Sequence, residues 1–192
     1  MISNQSVFGA CTAIAGLVVG LWTGPVAAQT RTAPRAAGSG GRVRCSVSDN
    51  GRAATARAEI RKGDSLVTAA SCATGISVPP GDYTLVVELD GALDRPQQRK
   101  ELRVVSGGTV EASFAFETAN LEIRIEREGK RAAGLTTVLD ASGKTIGTLG
   151  VGARGRLSVG RYKLVVRCRE DQKSIDNLVL SRGEQRLVEV SF

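Results

Sequence analysis

Short segments in which apolar and polar residues alternate recur along most of the chain. The run 121–126 (LEIRIE) places three apolar residues on one side and three charged residues on the other. This two-residue period is typical of a β-strand with one buried face. Similar runs occupy 83–89, 112–116, 162–168 and 188–192, and no segment shows the period of an amphipathic helix. The pattern predicts an all-β protein.

Turn signals rich in glycine separate the alternating segments. They lie at 49–51 (DNG), 62–64 (KGD), 79–81 (PPG), 106–108 (SGG), 142–144 (SGK) and 182–184 (RGE). Short strands with one apolar face bury that face by packing sheet against sheet. We therefore expect β-sandwich architecture with many tight turns.

The second half of the chain repeats the first in four blocks that keep the same order. The offset is 79 residues between Tyr83 and Tyr162, 78 between 43–47 and 121–125, and 76 for 102–107 against 178–183 and 114–116 against 190–192. An internal repeat of this size indicates one supersecondary unit used twice. We predict two tandem domains, 42–118 and 119–192, with a very short join that limits their relative orientation.

Both repeats resemble a known family of small modules. The block VPPGDYTLVVEL at 78–89, followed by LRVVSGG at 102–108 and VEASFAF at 110–116, resembles the prealbumin-like sandwich modules. These include carboxypeptidase regulatory-like and PEGA-type domains. LSVGRYKLVVR at 157–167, followed by 178–192, is similar but has Val159 where the first copy has Pro80, and neither copy contains the string Pro-Glu-Gly-Ala.

The resemblance implies a seven-stranded or similar Ig-like, prealbumin-like Greek-key sandwich in each repeat. Such modules serve as accessory, adhesive or surface-attached units, and the family supplies no catalytic residues to carry over. The resemblance also implies structural roles for its most recognisable positions. Gly81 and Gly160 allow the turn, while the rings of Tyr83 and Tyr162 fill the end of the sandwich.

The first 28 residues predict an export signal. Residues 7–28 carry no charge, and small residues at Val26 and Ala28 fit a cleavage site, although no Lys or Arg precedes the apolar run. Retention of the segment as an anchor is the alternative. Residues 29–41 (QTRTAPRAAGSGG) predict a flexible arm. We expect a periplasmic or secreted protein without a transmembrane span in its mature form.

The composition excludes several classes of chemistry. The chain contains no histidine, which excludes Ser-His-Asp and Cys-His catalysis within it. The sequence 150–155 (GVGARG) matches a dinucleotide-binding pattern, but a loop and a strand follow it rather than a helix. The aspartates lie singly at turns, where they normally bond their own backbone, and form no calcium-loop run. We predict no enzyme, no cofactor and no metal site.

Positive charge concentrates in the second half of the chain. Residues 42–118 hold 10 basic and 10 acidic side chains, whereas residues 119–192 hold 14 basic and 9 acidic. Such an excess favours attraction to anionic surfaces. The candidate residues for binding an anionic surface are Arg154, Arg156, Arg161, Lys163, Arg167 and Arg169. The alternative is an ordinary solvated face with acidic partners.

Three cysteines follow the predicted signal peptide. Cys45 and Cys72 lie in the same repeat and could form a disulfide, which an exported context permits, leaving Cys168 single. The alternative is that all three are small core residues.

These observations favour a non-catalytic envelope protein that acts as a protein-interaction or scaffold module. Its expected feature is an exposed edge strand that takes up a partner strand. The alternative is a module that binds an anionic glycan or lipid through the basic residues of the second domain. The expected partner is an envelope protein or an anionic envelope polymer. Nucleic acid is not expected, because no aromatic residues interleave with the basic ones.

Overall fold

Residues 40–192, the part of the chain that the computed structural model describes, form sixteen β-strands and no helix. The all-β prediction is therefore confirmed. The predicted signal peptide and all but the last two residues of the predicted arm lie outside the described residues. No helix among the described residues is long and apolar enough to span a bilayer.

The strands fall into two groups of eight, here called the first and second halves. The first half contains β1 (Gly41–Asp49), β2 (Arg52–Ala53), β3 (Ala56–Lys62), β4 (Ser65–Ser71), β5 (Ile76–Val78), β6 (Gly81–Leu89), β7 (Gln97–Val104) and β8 (Thr109–Phe116). The second half contains β9 (Thr118–Arg127), β10 (Lys130–Arg131), β11 (Leu135–Asp140), β12 (Thr145–Gly150), β13 (Arg154–Ser158), β14 (Gly160–Cys168), β15 (Asp171–Leu180) and β16 (Gln185–Ser191).

Each half contains two four-stranded sheets with the same pairing. In the β6 sheet the order is β4-β3-β6-β7, and in the β14 sheet it is β12-β11-β14-β15. In the β1 sheet, β1 pairs with β8 in parallel and with β2 and β5 in antiparallel fashion. In the β9 sheet, β9 pairs likewise with β16 in parallel and with β10 and β13 in antiparallel fashion. That the halves are copies of one family module stays a prediction.

The two sheets of each half enclose one hydrophobic core. Strand alternation explains this, because Leu121, Ile123 and Ile125 on β9 are all fully buried while the residues between them are partly exposed. The core of the first half joins side chains of both sheets, such as Phe114 from β8 and Leu85 from β6. The second core is built in the same way. Each half is therefore a β-sandwich whose interior is mainly aliphatic.

A tyrosine closes the same end of each sandwich. The Tyr83 hydroxyl donates a hydrogen bond of 2.9 Å to the carbonyl oxygen of Pro79, four residues earlier. The Tyr162 hydroxyl donates one of 2.8 Å to the carbonyl oxygen of Ser158, also four residues earlier. Both rings are buried, at 4% and 6% exposure. Each hydroxyl thus holds the turn that leads into its strand.

We expect Tyr83→Phe and Tyr162→Phe to destabilise the protein by similar amounts. Each change keeps the ring and removes the hydrogen bond to the turn carbonyl, a loss of about 1 kcal/mol. Urea unfolding followed by circular dichroism measures it. Unchanged midpoints in both variants would show that these hydroxyls do not stabilise the turns.

The chain passes from one half to the other through a single residue. β8 ends at Phe116 and β9 begins at Thr118, so Glu117 alone lies between the strands. Thr118, which the sequence analysis assigns to the first domain, is therefore the first residue of a second-half strand. At the other end, Gly41 belongs to β1 rather than to an arm.

Candidate functional site

β4 is an exposed edge strand of the first sandwich. Its residues 65–71 (SLVTAAS) carry no charge and are exposed or half-buried along the whole strand. Leu66 is 55% exposed and Val67 is 43% exposed. We call this strand the β4 edge. The strand carries no charge that would oppose pairing with a further strand.

Hydrogen-bond geometry shows which backbone groups of the β4 edge are free. The amide of Cys72 donates to the carbonyl of Ala56 at 3.1 Å, which makes these opposed residues a hydrogen-bonded pair. Such pairs alternate along an antiparallel ladder. The register then makes Ala58 and Ala70 the next bonded pair and directs the backbone groups of Ala69 away from β3.

The edge strands of the β14 sheet and the other edge strand of the β6 sheet carry features that disfavour pairing. β7 carries four charged residues among its eight, in the sequence QQRKELRV. β15 carries charges and a residue with positive φ, Asn177 at 58°. β12, the counterpart of β4, is also uncharged, but Leu93 lies against it, only 2.8 Å from where a Cβ on Gly147 would sit. Charges and irregular backbone discourage edge pairing. β4 has an irregularity of its own, because Val67 has no partner on β3, but unlike β7 and β15 it carries no charge.

A disulfide anchors one end of the β4 edge. Cys72 follows β4 directly, and its sulfur is bonded to that of Cys45 on β1. The bond joins the two sheets of the first sandwich beside the exposed strand. Cys168 is a buried free thiol in the core of the second half.

The six basic residues singled out in the sequence do not share one strand face, although Arg154, Arg156 and Arg161 line one groove. Arg161, Lys163 and Arg167 lie on the outer face of β14, since their neighbours Tyr162, Leu164 and Val166 are buried. Arg169 lies beyond the end of the strand, at a turn with φ of 55°. Arg154 and Arg156 belong to β13, in the other sheet of the same sandwich.

The basic residues on strands also differ in their partners. Lys163 pairs with Asp176 at 2.9 Å, and Arg154 pairs with Glu122 at 3.0 Å. The Arg167 Nε donates to the Gln172 side-chain oxygen at 3.0 Å. These are exposed contacts that water and salt screen, so they leave the charges available to other anions.

Arg156 is engaged between the two sandwiches. Its Nη1 lies 3.4 Å from Oδ2 of Asp49, and its Nη2 donates to the backbone carbonyl of Asp90. The Arg156 side chain is 30% exposed and that of Asp49 only 10%. Arg156 therefore contacts the first half at two positions.

Further polar contacts surround Arg156. The Thr118 hydroxyl donates to the Asp49 carboxylate at 2.7 Å. The side-chain amide of Asn50 donates to the backbone carbonyl of Thr118 at 2.9 Å. The Ser158 amide donates to the Asp94 carboxylate at 3.1 Å. We call Arg156, Asp49, Asn50, Thr118 and the Asp94–Ser158 bond the polar clasp. It links the halves at several points.

An open groove of about 1210 Å³ lies beside the clasp. Its walls carry charges of both signs, including Asp94, Asp140 and Lys144. The Ser142 hydroxyl holds the pKa of the Asp140 carboxyl below its usual range, and burial raises the pKa of Tyr162. In residues 40–192 no three His, Cys, Asp or Glu side chains are grouped as metal ligands. The groove therefore does not present a single charge sign.

The sequence analysis expected an edge strand without locating it, and missed the polar clasp. A signal for the edge was present, because residues 65–80 contain no charged side chain. For the clasp no such signal existed, since Asp49 and Arg156 are 107 residues apart.

No known protein family and no curated protein matches the sequence. Three of the solved structures that align with this chain do so over 80% of its length. A putative adhesin from Bacteroides ovatus has a TM-score of 0.42 and 8% identity over 88% of its length. The C-terminal fragment of pilus adhesin SpaC from Lactobacillus rhamnosus GG has a TM-score of 0.30 and 7% identity over 97% of its length.

The third structure is the Bacillus anthracis TIE protein, with a TM-score of 0.32 and 16% identity. This chain spans about a third of it, covering 34% of its length.

Proposed function

We propose that the protein is a non-catalytic, exported envelope protein that acts as a protein-interaction or scaffold module. It takes up an extended strand of a partner protein along the β4 edge. The observation that carries this proposal is an edge strand of seven residues that is uncharged and exposed. Backbone hydrogen bonds supply affinity in this mode of recognition, and alternate side chains supply specificity.

The chemistry of the β4 edge defines the partner. Leu66 and Val67 offer apolar contacts, and the small residues at 68–71 allow close approach of another backbone. The complementary segment is extended and uncharged, with an apolar residue opposite Val67. A charged segment is disfavoured, because its charge would lose water without gaining a partner.

Two further features support an exported scaffold. The Cys45–Cys72 disulfide fits an oxidising compartment, as does the predicted signal peptide. The polar clasp and the single-residue join at Glu117 favour a fixed arrangement of the halves. A partner strand bound at β4 would then be held at a defined distance from the second half.

We expect Val67→Lys to weaken partner binding at least about tenfold, because a desolvated unpaired charge costs more than about 1.4 kcal/mol. The mature protein, starting at Gln29, is co-sedimented with a bacterial envelope fraction at low and high salt. Binding through the β4 edge resists high salt, is abolished by protease treatment of the envelope, and is lost in the variant.

Val105→Lys is the matched control. Val105 is 55% exposed and lies in the loop after β7, away from the β4 edge. It introduces the same charge on the same residue type. Equal binding by the two variants would rule out the β4 edge as the site. A dimer seen by analytical ultracentrifugation and lost only in Val67→Lys would identify a second copy of the chain as the partner.

A further inference from the structure

The outer face of the β14 sheet combines positive charge with exposed aliphatic side chains. Arg167 lies opposite Leu135 on the neighbouring strand, and Lys163 lies opposite Leu139. On the other side, Arg161 lies opposite Val179. Each cation therefore has an aliphatic neighbour across the ladder. We call these residues, together with Val165, the β14 face.

The aliphatic residues of the β14 face are unusually exposed. Leu135 is 48% exposed and Val179 is 50% exposed. Among the described residues of this face, the acidic side chain is Asp176, which pairs with Lys163. The face therefore keeps a net positive charge. It belongs to the half that carries the basic excess of the chain.

Strand geometry sets the spacing of the three cations. Alternate residues on a strand lie about 7 Å apart, which places Arg161 and Lys163 at that distance and Arg167 about 13 Å beyond Lys163. All three point the same way from one sheet. A planar array of anionic groups is the complementary partner.

We infer that the β14 face binds the surface of an anionic lipid bilayer. The three cations contact headgroup phosphates, and Leu135 and Val179 enter the boundary between headgroups and acyl chains. Basic residues near an anionic leaflet gain attraction within a Debye length. Exposed aliphatic groups gain from leaving water for the interface.

The aliphatic residues favour a lipid surface over an anionic polysaccharide. A polysaccharide offers carboxylates and hydroxyls to the cations but no apolar phase to Leu135 and Val179. A bilayer satisfies both kinds of side chain at once. Cations and aliphatic side chains lie next to each other on neighbouring strands of this face. In a bilayer, phosphates and acyl chains likewise lie close together at the boundary of the headgroup region.

Vesicle co-sedimentation tests the inference with the mature protein from Gln29. Vesicles contain either phosphatidylcholine alone or phosphatidylcholine with one-third phosphatidylglycerol. We expect binding to the anionic vesicles only, with release at high salt. The triple variant Arg161→Gln/Lys163→Gln/Arg167→Gln is expected to lower partitioning about 100-fold, since each cation contributes about fivefold.

Two further variants separate the contributions. Leu135→Ser/Val179→Ser is expected to weaken binding severalfold while the salt dependence stays the same. The control Arg52→Gln/Lys62→Gln/Arg99→Gln removes the same charge from exposed positions in the first half. It keeps binding within a few-fold of the original protein.

Three results would overturn the inference. Equal losses in the two triple variants would show that net charge alone acts. The protein would be identified as a module that binds an anionic glycan if it failed to bind anionic vesicles but bound soluble alginate through the β14 face in a salt-sensitive way. Binding unaffected by Leu135→Ser/Val179→Ser would remove the apolar contribution and with it the case for lipid. Val67→Lys keeps vesicle binding, so failure of this inference is distinct from failure of the β4 edge.

Discussion

Removing the disulfide is expected to destabilise the first sandwich by about 3 to 4 kcal/mol, the value for a closed loop of this length. The variant is Cys45→Ala/Cys72→Ala, and the two cysteines are separated by 27 positions in sequence. The bond restricts the unfolded chain and joins the two sheets beside the β4 edge. Urea unfolding with and without reductant measures the change, and hydrogen exchange locates it in residues 41–116.

Cys168→Ala is the control for this prediction. Cys168 is buried and unpaired in the second core, so its loss creates a small cavity without releasing a loop. Relative to the original protein under the same condition, we expect the free energy of unfolding to fall by about 1 kcal/mol, both with and without reductant. The original protein in reductant should match the double variant. Identical unfolding of the original protein in both conditions would contradict a stabilising disulfide.

The disulfide prediction also bears on the β4 edge. Cys72 fixes the end of β4 against β1, so its loss should raise hydrogen exchange in β4 before it does so in β6, which is a central strand. A binding edge has to stay ordered without a neighbour on its open side. The disulfide orders the end of β4 from outside the strand, so it does not occupy the backbone groups of residues 65–71.

The fold is largely predictable because it follows from local alternation. Leu121, Ile123 and Ile125 share a parity in the sequence and are fully buried in β9. The resemblance implied seven or a similar number of strands per repeat, whereas the structure has eight in each half. The difference comes from very short strands such as β2 and β10, which have two residues each and show no period.

The candidate sites are less predictable because they depend on contacts between distant segments. Parity along one strand groups Arg161, Lys163 and Arg167, and the structure places them on one face. The same alternation does not place Arg169 on this face, because β14 ends at Cys168. No local sequence feature indicates that Arg156 lies in a different sheet and contacts Asp49. Which strands are edges is likewise a property of the assembled sheet.

The second large effect is expected at the polar clasp. Arg156→Met should destabilise the protein by about 2 to 3 kcal/mol, because it leaves the nearly buried Asp49 carboxylate without its cation. This is less than the loss for a fully buried pair, because the Arg156 side chain is 30% exposed. Urea unfolding measures the loss, and small-angle scattering tests whether the halves become mobile.

Arg154→Met is the matched control, on the same strand and two residues away. Arg154 also has an acidic partner, Glu122, but its side chain is 73% exposed. We expect a loss below about 1 kcal/mol for this variant, as for surface ion pairs in general. Equal losses from the two substitutions would show that Arg156 is an ordinary surface residue and not part of a clasp.

A double variant separates the charge from the contact. Asp49→Asn/Arg156→Met removes both charges, so it should be more stable than Arg156→Met alone, since no unpaired carboxylate remains. Vesicle binding should be unchanged in Arg156→Met, because Arg156 lies outside the β14 face. A variant that loses stability while keeping anion binding would assign different roles to four of the six basic residues. Arg156 would then fix the arrangement of the halves, and Arg161, Lys163 and Arg167 would face the partner.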